Sequence, residues 1–308
     1  MFGHPALVYR TVDEFLDSLV PFVLDGLASR EPVFVAVGQV ELDALRVEVG
    51  TDPELVLADT HEWHPHPASR LRAFHELVTG ELRSGAEAVR LVGEPAWPSG
   101  PSDFVREWAR YESALNVALE PYPVTLICTY DDSRLDPEIV ADARRTHPTL
   151  RSETRERPSG DFLDPAALLP LWNPPLVAPP QDAAQLPLVT DLRSARRFLR
   201  ERATAAGVPP VRTEDLVVAT TEVLANAFVH AGGDVVLRAW TERGSFVCQV
   251  EDEGPGVVDP LAGYRPPGGV DRDGRGLWLA RQLVDLLQIV PGPGGTTVRL
   301  HLRAHPEG

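Results

Sequence analysis

Basic residues are scarce in this 308-residue chain: 29 lysines and arginines stand against 45 aspartates and glutamates, a formal net charge of −16. No basic patch or basic helix appears, so we expect neither a nucleic-acid nor an anionic-membrane partner. Cysteine is rare as well. Cys128 and Cys248 both lie in apolar, strand-like runs, which is typical of buried thiols and not of a disulfide pair or a metal site.

Leader segments and long apolar runs are also missing. The first residues lack a basic stretch followed by a long apolar core, and no uninterrupted apolar run reaches about 18 residues, the length that a membrane span requires. We therefore expect a cytoplasmic protein without a membrane segment.

The chain length predicts two domains, each with its own core. No phosphate loop of the G-xxxx-G-K-[ST] type occurs, so residues 1–150 do not predict a P-loop nucleotide site.

Residues 1–150 alternate short apolar runs with longer amphipathic ones. Strand-like runs begin near residues 6, 32, 54, 88 and 122, and helices are expected from Thr11 to about Ala28, at about 67–84 and at about 101–119. Strands that alternate with helices predict βαβ units, and continuously apolar strands predict burial on both faces. This half is therefore expected to be an α/β domain with a mostly parallel sheet.

Short motifs are spread over the same half. They are His4, Gly93-Glu94-Pro-Ala-Trp97, Tyr111-Glu112-xx-Leu-Asn116, Cys128-Thr-Tyr130-Asp131 and His147-Pro148. Together they resemble the MEDS sensory domains of bacterial regulators. The resemblance implies a degenerate RecA-like sheet and a sensing role, with a small-molecule signal that it does not identify. Candidates to line a pocket at the carboxyl ends of the strands are His4, Glu94, Trp97, Tyr111, Glu112 and Tyr130; an equal alternative is that these groups hydrogen-bond within a core.

Two further stretches lack a clear helix or strand pattern, one within residues 1–150 and one between the domains. His61, His64 and His66 stand in a loop punctuated by proline, and a solvated loop is favoured there over a zinc site. Residues 151–187 are rich in proline and lack periodicity, which predicts an extended linker. The apolar residues in this linker predict that it packs on one or both domains and transmits the sensory state, an interpretation that an exposed Trp172 would contradict. These apolar residues are Phe162, Leu163, Leu168, Leu169, Leu171 and Trp172.

Residues 188–308 form the second predicted domain. Helices are expected at 191–206, 213–231 and 275–287, strands at 234–242, 245–252 and 296–303, and a mobile, Gly/Pro-rich lid at about 257–275. This pattern predicts a two-layer α/β sandwich. In the second helix, Glu222, Asn226 and His230 share one arc. A different arc carries the apolar Leu216, Val223, Leu224 and Ala227.

Four short motifs follow one another in this domain: Glu222-xxx-Asn226-Ala, Asp252-x-Gly254-x-Gly256, Gly274-x-Gly276-Leu277 and Gly294-Gly-Thr296-Thr297. In this order they resemble the N, G1, G2 and G3 boxes of the GHKL (Bergerat-fold) ATPases. Each box alone is weak evidence, whereas four in order over about eighty residues are specific. The version here is most similar to the anti-sigma-factor serine/threonine kinases, and it implies that ATP and Mg²⁺ bind.

The chemistry of ATP binding gives each residue type a role. Asn226 offers Mg²⁺ a hard oxygen ligand, and Glu222 is placed to activate an acceptor hydroxyl. Asp252 can accept a hydrogen bond from the adenine amino group, and glycines let the backbone pass close to the base. The remaining candidates for nucleotide binding are His230, Gly254, Gly256, Gly274, Arg275, Gly276, Leu277 and Thr297. For His230 and Arg275 a structural role is an equal alternative.

The lid departs from the family pattern because it lacks lysine and contains Pro266-Pro267. Arg265, Arg272 and Arg275 are therefore the candidate phosphate contacts. The resemblance implies a cytoplasmic regulator that binds a sigma factor and phosphorylates a serine or threonine of an anti-sigma antagonist protein, under control of the N-terminal domain. Two alternatives stay open: a histidine kinase acting on another protein, and a non-catalytic, nucleotide-dependent anti-sigma binding module. Kinases of this type commonly form homodimers, and the residue spacing identifies no interface.

Overall fold

Two separate β-sheets organise the chain, which we describe from a computed structural model. The described residues are 2–64, 66–97, 102–173, 175–189, 191–230, 234–254, 256, 259–267, 274–292 and 294–303. Contacts between residues divide the chain into two compact units, Met1–Leu168 and Leu169–Gly308. This division lies inside the segment that the sequence predicts to be a linker.

The first unit is built on a mostly parallel sheet. Its strands are β1 (Pro5–Tyr9), β2 (Val33–Val37), β3 (Leu55–Asp59), β4 (Val89–Gly93), β5 (Val124–Asp131), β6 (Thr149–Ser152) and β7 (Arg155–Pro158). They lie in the order β3-β2-β4-β5-β1-β6-β7, and among them only β6 and β7 pair in antiparallel fashion. The α/β fold class with a mostly parallel sheet is confirmed.

Helices connect these strands: α1 (Val12–Ala28), α2 (Gln39–Val49), α3 (Pro67–Arg83), α4 (Ser102–Ala118) and α5 (Pro137–Thr146). The first helix begins at Thr11, whose side chain accepts a hydrogen bond from the backbone N–H of Glu14. Phe15, Leu19 and Phe22 follow at helical spacing and are buried. Burial of each such side chain contributes about 1.5 to 3 kcal/mol, so this stripe fixes the helix on the sheet.

The segment predicted to be a linker contains regular secondary structure. The β6–β7 hairpin extends the first sheet, α6 (Pro165–Leu171) follows, and β8 (Ala184–Leu186) joins the second sheet. Trp172 is 9% exposed and Leu168 and Leu169 are buried, whereas Leu171 is 73% exposed. The burial of Trp172 agrees with a packed segment; transmission of a signal through it stays a prediction.

The second unit contains an antiparallel sheet with helices on one face. Its further strands are β9 (Val235–Glu242), β10 (Ser245–Asp252), β11 (Leu286–Gly292) and β12 (Gly295–Arg303), and its helices are α7 (Leu192–Ala205), α8 (Pro210–His230) and α9 (Arg275–Leu283). The strand order is β11-β12-β10-β9-β8. Leu199, Leu224, Leu237 and Leu300 belong to a core built from both layers. The two-layer sandwich is therefore confirmed. None of the described helices is long and apolar enough to cross a bilayer.

One boundary differs from the sequence prediction. The helix expected at 275–287 ends at Leu283, and β11 begins three residues later and pairs with β12. The apolar run 283–289 is too short for its periodicity to separate a helix from a buried strand. Gly292 pairs with Gly295 where the two strands turn, and the neighbouring strand offers partners to the backbone of β11. Tertiary pairing therefore decides the conformation of this run.

Candidate functional site

Helix α8 carries the polar stripe that the sequence singles out. Glu222 and Asn226 are half-buried, and His230, the last residue of the helix, is exposed. The apolar arc of the same helix is buried in the core, as predicted: Leu216, Val223, Leu224 and Ala227. Because this arc fixes the rotation of the helix, Glu222 and Asn226 are presented together at one edge of the core.

Asp252 ends strand β10 in the middle of the sheet. Its Oδ1 atom accepts hydrogen bonds from the backbone N–H groups of Gly254, at 3.0 Å, and Thr296, at 3.2 Å. Both donors are backbone groups, so the carboxylate is positioned by the sheet and by the turn that follows it. Within the described part of the chain nothing donates to the Oδ2 atom, which can therefore accept a hydrogen bond from a ligand.

The start of β12 approaches the end of β10 very closely. An ideal Cβ atom on Gly295 would lie 1.6 Å from the backbone carbonyl oxygen of Asp252, and the φ angle of Gly295 is +145°. No residue with a side chain fits there. Gly256, with a φ angle of +83°, also occupies a conformation that favours glycine. The glycines in these two motifs therefore allow a turn and a close backbone approach beside Asp252.

Helix α9 begins against the polar stripe of α8. Its N-cap, Gly274, is in the left-handed conformation with a φ angle of +89°. An ideal Cβ atom on Gly276 would lie 2.9 Å from Oε2 of Glu222 and 3.5 Å from Nδ2 of Asn226. The missing side chain at position 276 thus lets the first turn of α9 contact both residues. Backbone N–H groups at a helix N-terminus bind anions, so this contact joins an anion-binding turn to the Glu222/Asn226 pair.

A cavity of ≈ 380 Å³ is lined by residues of α8, α9 and the sheet, and by residues 256, 259, 262 and 263 of the segment between them. Its apolar walls are Val223, Ala227, Ala262, Leu277 and Val298. Its polar groups are Asn226, His230, Asp252, Asp259 and Thr296, and glycines 256, 263 and 274 complete the lining. Apolar walls with a few polar groups are typical of a small-molecule binding site.

The structure gathers most of the predicted site residues at this cavity. Asn226, His230, Asp252, Gly256, Gly274 and Leu277 line it. Glu222 and Gly276 meet one helical turn away, and Gly254 donates its N–H to Asp252. Arg275 is exposed at the first position of α9.

Thr297 lies apart from the cavity. In β12 it pairs with Glu251, whereas Thr296 pairs with Asp252 and lines the cavity. Neighbouring residues of a strand point to opposite faces of the sheet, so Thr297 faces away from α8. Asp259 and Gly263 also line the cavity, although no sequence motif identifies them as site residues. The two-residue period of β12 is the signal that could have selected Thr296.

Part of the predicted lid is anchored to α9. Leu261 and Tyr264 are buried, and the guanidinium carbon of Arg281 lies 3.8 Å from the centre of the Tyr264 ring. Arg265, a candidate phosphate contact, forms an ion pair with Asp259. Residues 257, 258 and 268–273, which include the candidate Arg272, lie outside the described residues.

Both cysteines are free and buried, which confirms the prediction of buried thiols. In the second unit, burial raises the pKa of Cys248 to about 12, and a contact with the Thr220 hydroxyl at 3.6 Å only partly opposes this. The Cys248 thiol is thus neutral and packs as a small apolar group.

The candidates for an N-terminal pocket fall in two places. Glu94 directly follows β4, and its Oε2 atom accepts a hydrogen bond from the backbone N–H of Gly38 at 2.8 Å. His4 directly precedes β1, at the other end of the parallel strands, and its Nε2 atom lies 3.8 Å from Oε2 of Glu112. Burial lowers the pKa of His4 well below its ordinary value.

The aromatic candidates of this group cluster together. The Tyr130 ring lies 5.6 Å from the His147 ring and 6.2 Å from the Trp97 ring, and Tyr111 contacts Trp108 at 5.3 Å between ring centres.

In the loop before α3, among the described residues, His61, His64 and His66 do not bring their ring nitrogens together as a metal-binding group.

Two family profiles match the sequence. Residues 3–148 match the family described as MEDS, MEthanogen/methylotroph, DcmR Sensory domain. Residues 187–302 match the family described as Histidine kinase-like ATPase domain. No curated protein matches the chain.

Solved structures also match. The RsbU and RsbW domains of Rv1364c from Mycobacterium tuberculosis are 26% identical, over 40% of this chain and 32% of that chain, with a TM-score of 0.31. The mycobacterial sensor histidine kinase MprB is 23% identical, over 41% of this chain and 99% of that chain, with a TM-score of 0.28. The Acinetobacter baumannii histidine kinase AdeS is 13% identical, over 40% and 68%, with a TM-score of 0.28.

The match therefore spans about a third of the length of the first of these structures. The two family profiles cover different units. The first includes the MEDS motifs of the parallel-sheet unit, and the second includes the four boxes around the cavity. This chain thus joins a MEDS domain at its N-terminus to a GHKL-type, histidine kinase-like ATPase domain at its C-terminus.

Proposed function

We propose that the C-terminal domain is an ATP-dependent protein serine/threonine kinase controlled by the MEDS domain. The observation that carries the proposal is the contact of Gly276 with Glu222 and Asn226, beside a cavity whose polar end is Asp252. A domain that only binds nucleotide needs Asn226, Asp252 and the glycines. A carboxylate beside the N-terminus of α9 is an additional feature, and it is the one that phosphoryl transfer would use.

An adenine nucleotide would occupy the cavity. Val223, Leu277 and Val298 offer apolar surface to the faces of the base, and Oδ2 of Asp252 can accept the hydrogen bond of its amino group. The α9 N-terminus, beside Asn226, would bind the phosphates. The Asn226 side-chain oxygen would hold Mg²⁺, which screens the charge of the phosphates when it is bound.

Glu222 would take the proton in the transfer. The acceptor hydroxyl oxygen bonds to the terminal phosphorus atom, the bond from that phosphorus to the ADP oxygen breaks, and the hydroxyl proton passes to the Glu222 carboxylate. Arg275, exposed at the start of α9, is placed to add positive charge near the phosphates. Arg265 can do so only if it leaves Asp259.

The partners follow from the family resemblance and belong to the proposal. The protein would act in the cytoplasm, bind a sigma factor, and phosphorylate a serine or threonine of an anti-sigma antagonist, so that phosphorylation changes which partner it holds. A signal at the MEDS domain would set the rate of this reaction. The negative net charge favours protein partners over nucleic acid.

The test uses ATP labelled at the γ-phosphate, Mg²⁺, the purified protein and a lysate of its source organism. Glu222→Gln removes the base at nearly constant volume. Glu214→Gln is the matched control, since Glu214 lies on the same helix and forms an exposed ion pair with Arg200. We expect acid-stable label on a small acceptor protein, a loss of label of about 100-fold or more in Glu222→Gln, and no loss in Glu214→Gln.

Other outcomes would replace the proposal. Acid-labile label would identify a histidine kinase acting in trans. Measurable ATP binding without any label would identify a nucleotide-dependent binding module. Equal labelling by Glu222→Gln and Glu214→Gln would show that Glu222 takes no part in the reaction.

A further inference from the structure

Four buried side chains of the first unit converge although they are far apart in the sequence. They are His4 before β1, Glu112 in α4, Cys128 in β5 and His147 after α5. Each is at most 1% exposed, and each offers one ligand atom within 4.8 Å of the other three. These are the side-chain types that bind zinc in proteins.

Three of the six separations between ligand atoms are close to those of a tetrahedral metal site, and all six are within 4.8 Å. Nε2 of His4 lies 3.4 Å from Sγ of Cys128 and 3.8 Å from Oε2 of Glu112, and Nε2 of His147 lies 3.2 Å from the same Oε2 atom. Zinc bonds of about 2.0 to 2.3 Å with tetrahedral angles place ligand atoms about 3.3 to 3.7 Å apart. The ligand atoms could thus surround a zinc ion with small side-chain movements.

The Nδ1 atoms of both histidines, which point away from the cluster, already form hydrogen bonds. Nδ1 of His147 donates to the backbone carbonyl oxygen of Ala143 at 2.8 Å, and Nδ1 of His4 donates to Oδ1 of Asn116 at 3.0 Å. Asn116 is oriented for this because its Nδ2 atom donates to the carbonyl oxygen of Thr146 at 2.7 Å. With the protons on Nδ1, both Nε2 atoms carry lone pairs that point into the cluster, as metal ligands require.

The cluster also holds unsatisfied polar atoms. Oε2 of Glu112 and Nε2 of His147 are buried without a hydrogen-bond partner although they lie only 3.2 Å apart. With the imidazole proton on Nδ1, Nε2 of His147 is an acceptor, and so is Oε2 of Glu112 when it belongs to a carboxylate; buried acceptors without a donor destabilise a protein. A cation between them satisfies both.

We propose that His4, Glu112, Cys128 and His147 form a buried zinc site. A thiolate and a carboxylate neutralise the two charges of Zn²⁺, so the complete site is neutral, which suits its burial. With four protein ligands the site is closed and therefore structural, and it would link the start of β1 to α4, β5 and the end of α5. This assigns Cys128 a role beyond that of the apolar thiol expected from the sequence.

The experiment uses the untagged full-length chain, stripped of metal with a chelator and titrated with Co²⁺ in the absence of nucleotide. Tetrahedral Co²⁺ with a thiolate ligand gives intense visible bands and a sulfur-to-cobalt charge-transfer band in the near ultraviolet. We expect these bands to saturate at about one Co²⁺ per chain and to disappear when Zn²⁺ is added. Zinc should also raise the melting temperature of the metal-free protein.

Variants locate the site. Cys128→Ser should lose the charge-transfer band and weaken Zn²⁺ binding at least 10-fold. Cys248→Ser, which changes the other buried thiol, should keep both, and so should the His61→Ala, His64→Ala, His66→Ala triple variant. The wild-type titration does not depend on how the variants fold. Absence of a thiolate band in the wild-type protein, or an unchanged band in Cys128→Ser, would overturn the proposal.

Discussion

At the scale of single residues, the absence of a side chain at Gly276 leaves room for the Glu222 side chain of α8 beside the first turn of α9. Gly276→Ala would place a Cβ atom 2.9 Å from the Glu222 carboxylate, so Glu222 or α9 must move. We expect the phosphoryl-transfer rate to fall on the order of 10-fold or more, because small displacements of a catalytic group cost large factors in rate. The affinity for ATP should change less, since Asp252 is not touched by the new methyl group.

The matched control is Gly80→Ala in α3, where the new Cβ atom meets nothing within 4 Å. Both variants place alanine in a helix, where it is favoured by about 0.5 to 1 kcal/mol over glycine. Steady-state kinetics with ATP and an acceptor protein measure the difference. Full activity of Gly276→Ala would show that the contact is not needed in catalysis.

A second residue-scale prediction concerns Glu94 in the MEDS domain. Burial raises its pKa to about 7; the neighbouring carboxylates of Glu41 and Asp131 act in the same direction, and the Gly38 N–H and Arg134 oppose them. The folded protein therefore keeps a proton that the unfolded chain, with a pKa near 4.5, releases earlier. The free energy of unfolding should decrease as the pH rises from about 4.5 to about 7, by on the order of 3 kcal/mol from this group.

Denaturant unfolding at several pH values, followed by a signal from the MEDS domain, measures this effect. Glu94→Gln should flatten the decrease, whereas Glu87→Gln, which changes an exposed carboxylate on the same unit, should leave it in place. An identical pH profile for Glu94→Gln and the wild-type protein would contradict the prediction.

Sequence motifs predicted residue types better than residue orientation. The spacing of Glu222 and Asn226 fixed their shared arc, because helix periodicity is a local property. Thr296 and Thr297 differ only in the face of β12 to which they point, and that depends on the register with β10. His4 and Cys128 were both part of the MEDS motifs, but their contact requires the pairing of β1 with β5, which no local pattern encodes.

At the scale of elements, the segment around Tyr264 is fixed to α9 through Arg281. Residues 259–263 contribute Asp259, Ala262 and Gly263 to the cavity, and the stacked Tyr264 ring holds this segment in place. Tyr264→Leu removes the cation–π contact, which is worth about 1 kcal/mol. We expect the dissociation constant for ATP to rise about 5-fold, as measured by calorimetry.

Tyr264→Phe is the control, since it keeps the aromatic face over the guanidinium. It should bind ATP like the wild-type protein. If both variants weaken binding equally, the tyrosine hydroxyl and not the stacking would be responsible.

Long elements with strong periodicity were predicted to within a few residues, as α7 and α8 show. The shorter α2 and α5 were not assigned, and β11 was taken as the end of a helix. In each of these runs apolar spacing is compatible with more than one state, so neighbouring elements decide. The β6–β7 hairpin was hidden for another reason: its residues are polar and mostly exposed, so no burial pattern marks it.

At the scale of the whole molecule, all the described residues that line the cavity belong to the second unit. A fragment of residues 169–308 should therefore bind ATP with nearly the affinity of the full chain, while its kinase rate should no longer respond to the signal of the MEDS domain. Calorimetry on the fragment, with Asn226→Ala as a non-binding control, tests the first part. A folded fragment that does not bind ATP would show that the first unit completes the site.

The position of β1 has a consequence for how the protein is made. Although it is synthesised before the other strands of its sheet, β1 lies inside that sheet between β5 and β6, and its partner Cys128 follows Ala6 by about 120 residues. At about 5 to 20 residues per second, a ribosome needs about 6 to 24 s to supply that partner. During this interval β1 is an apolar segment whose backbone N–H and C=O groups lack their strand partners. We therefore expect the nascent chain to bind chaperones that shield such segments.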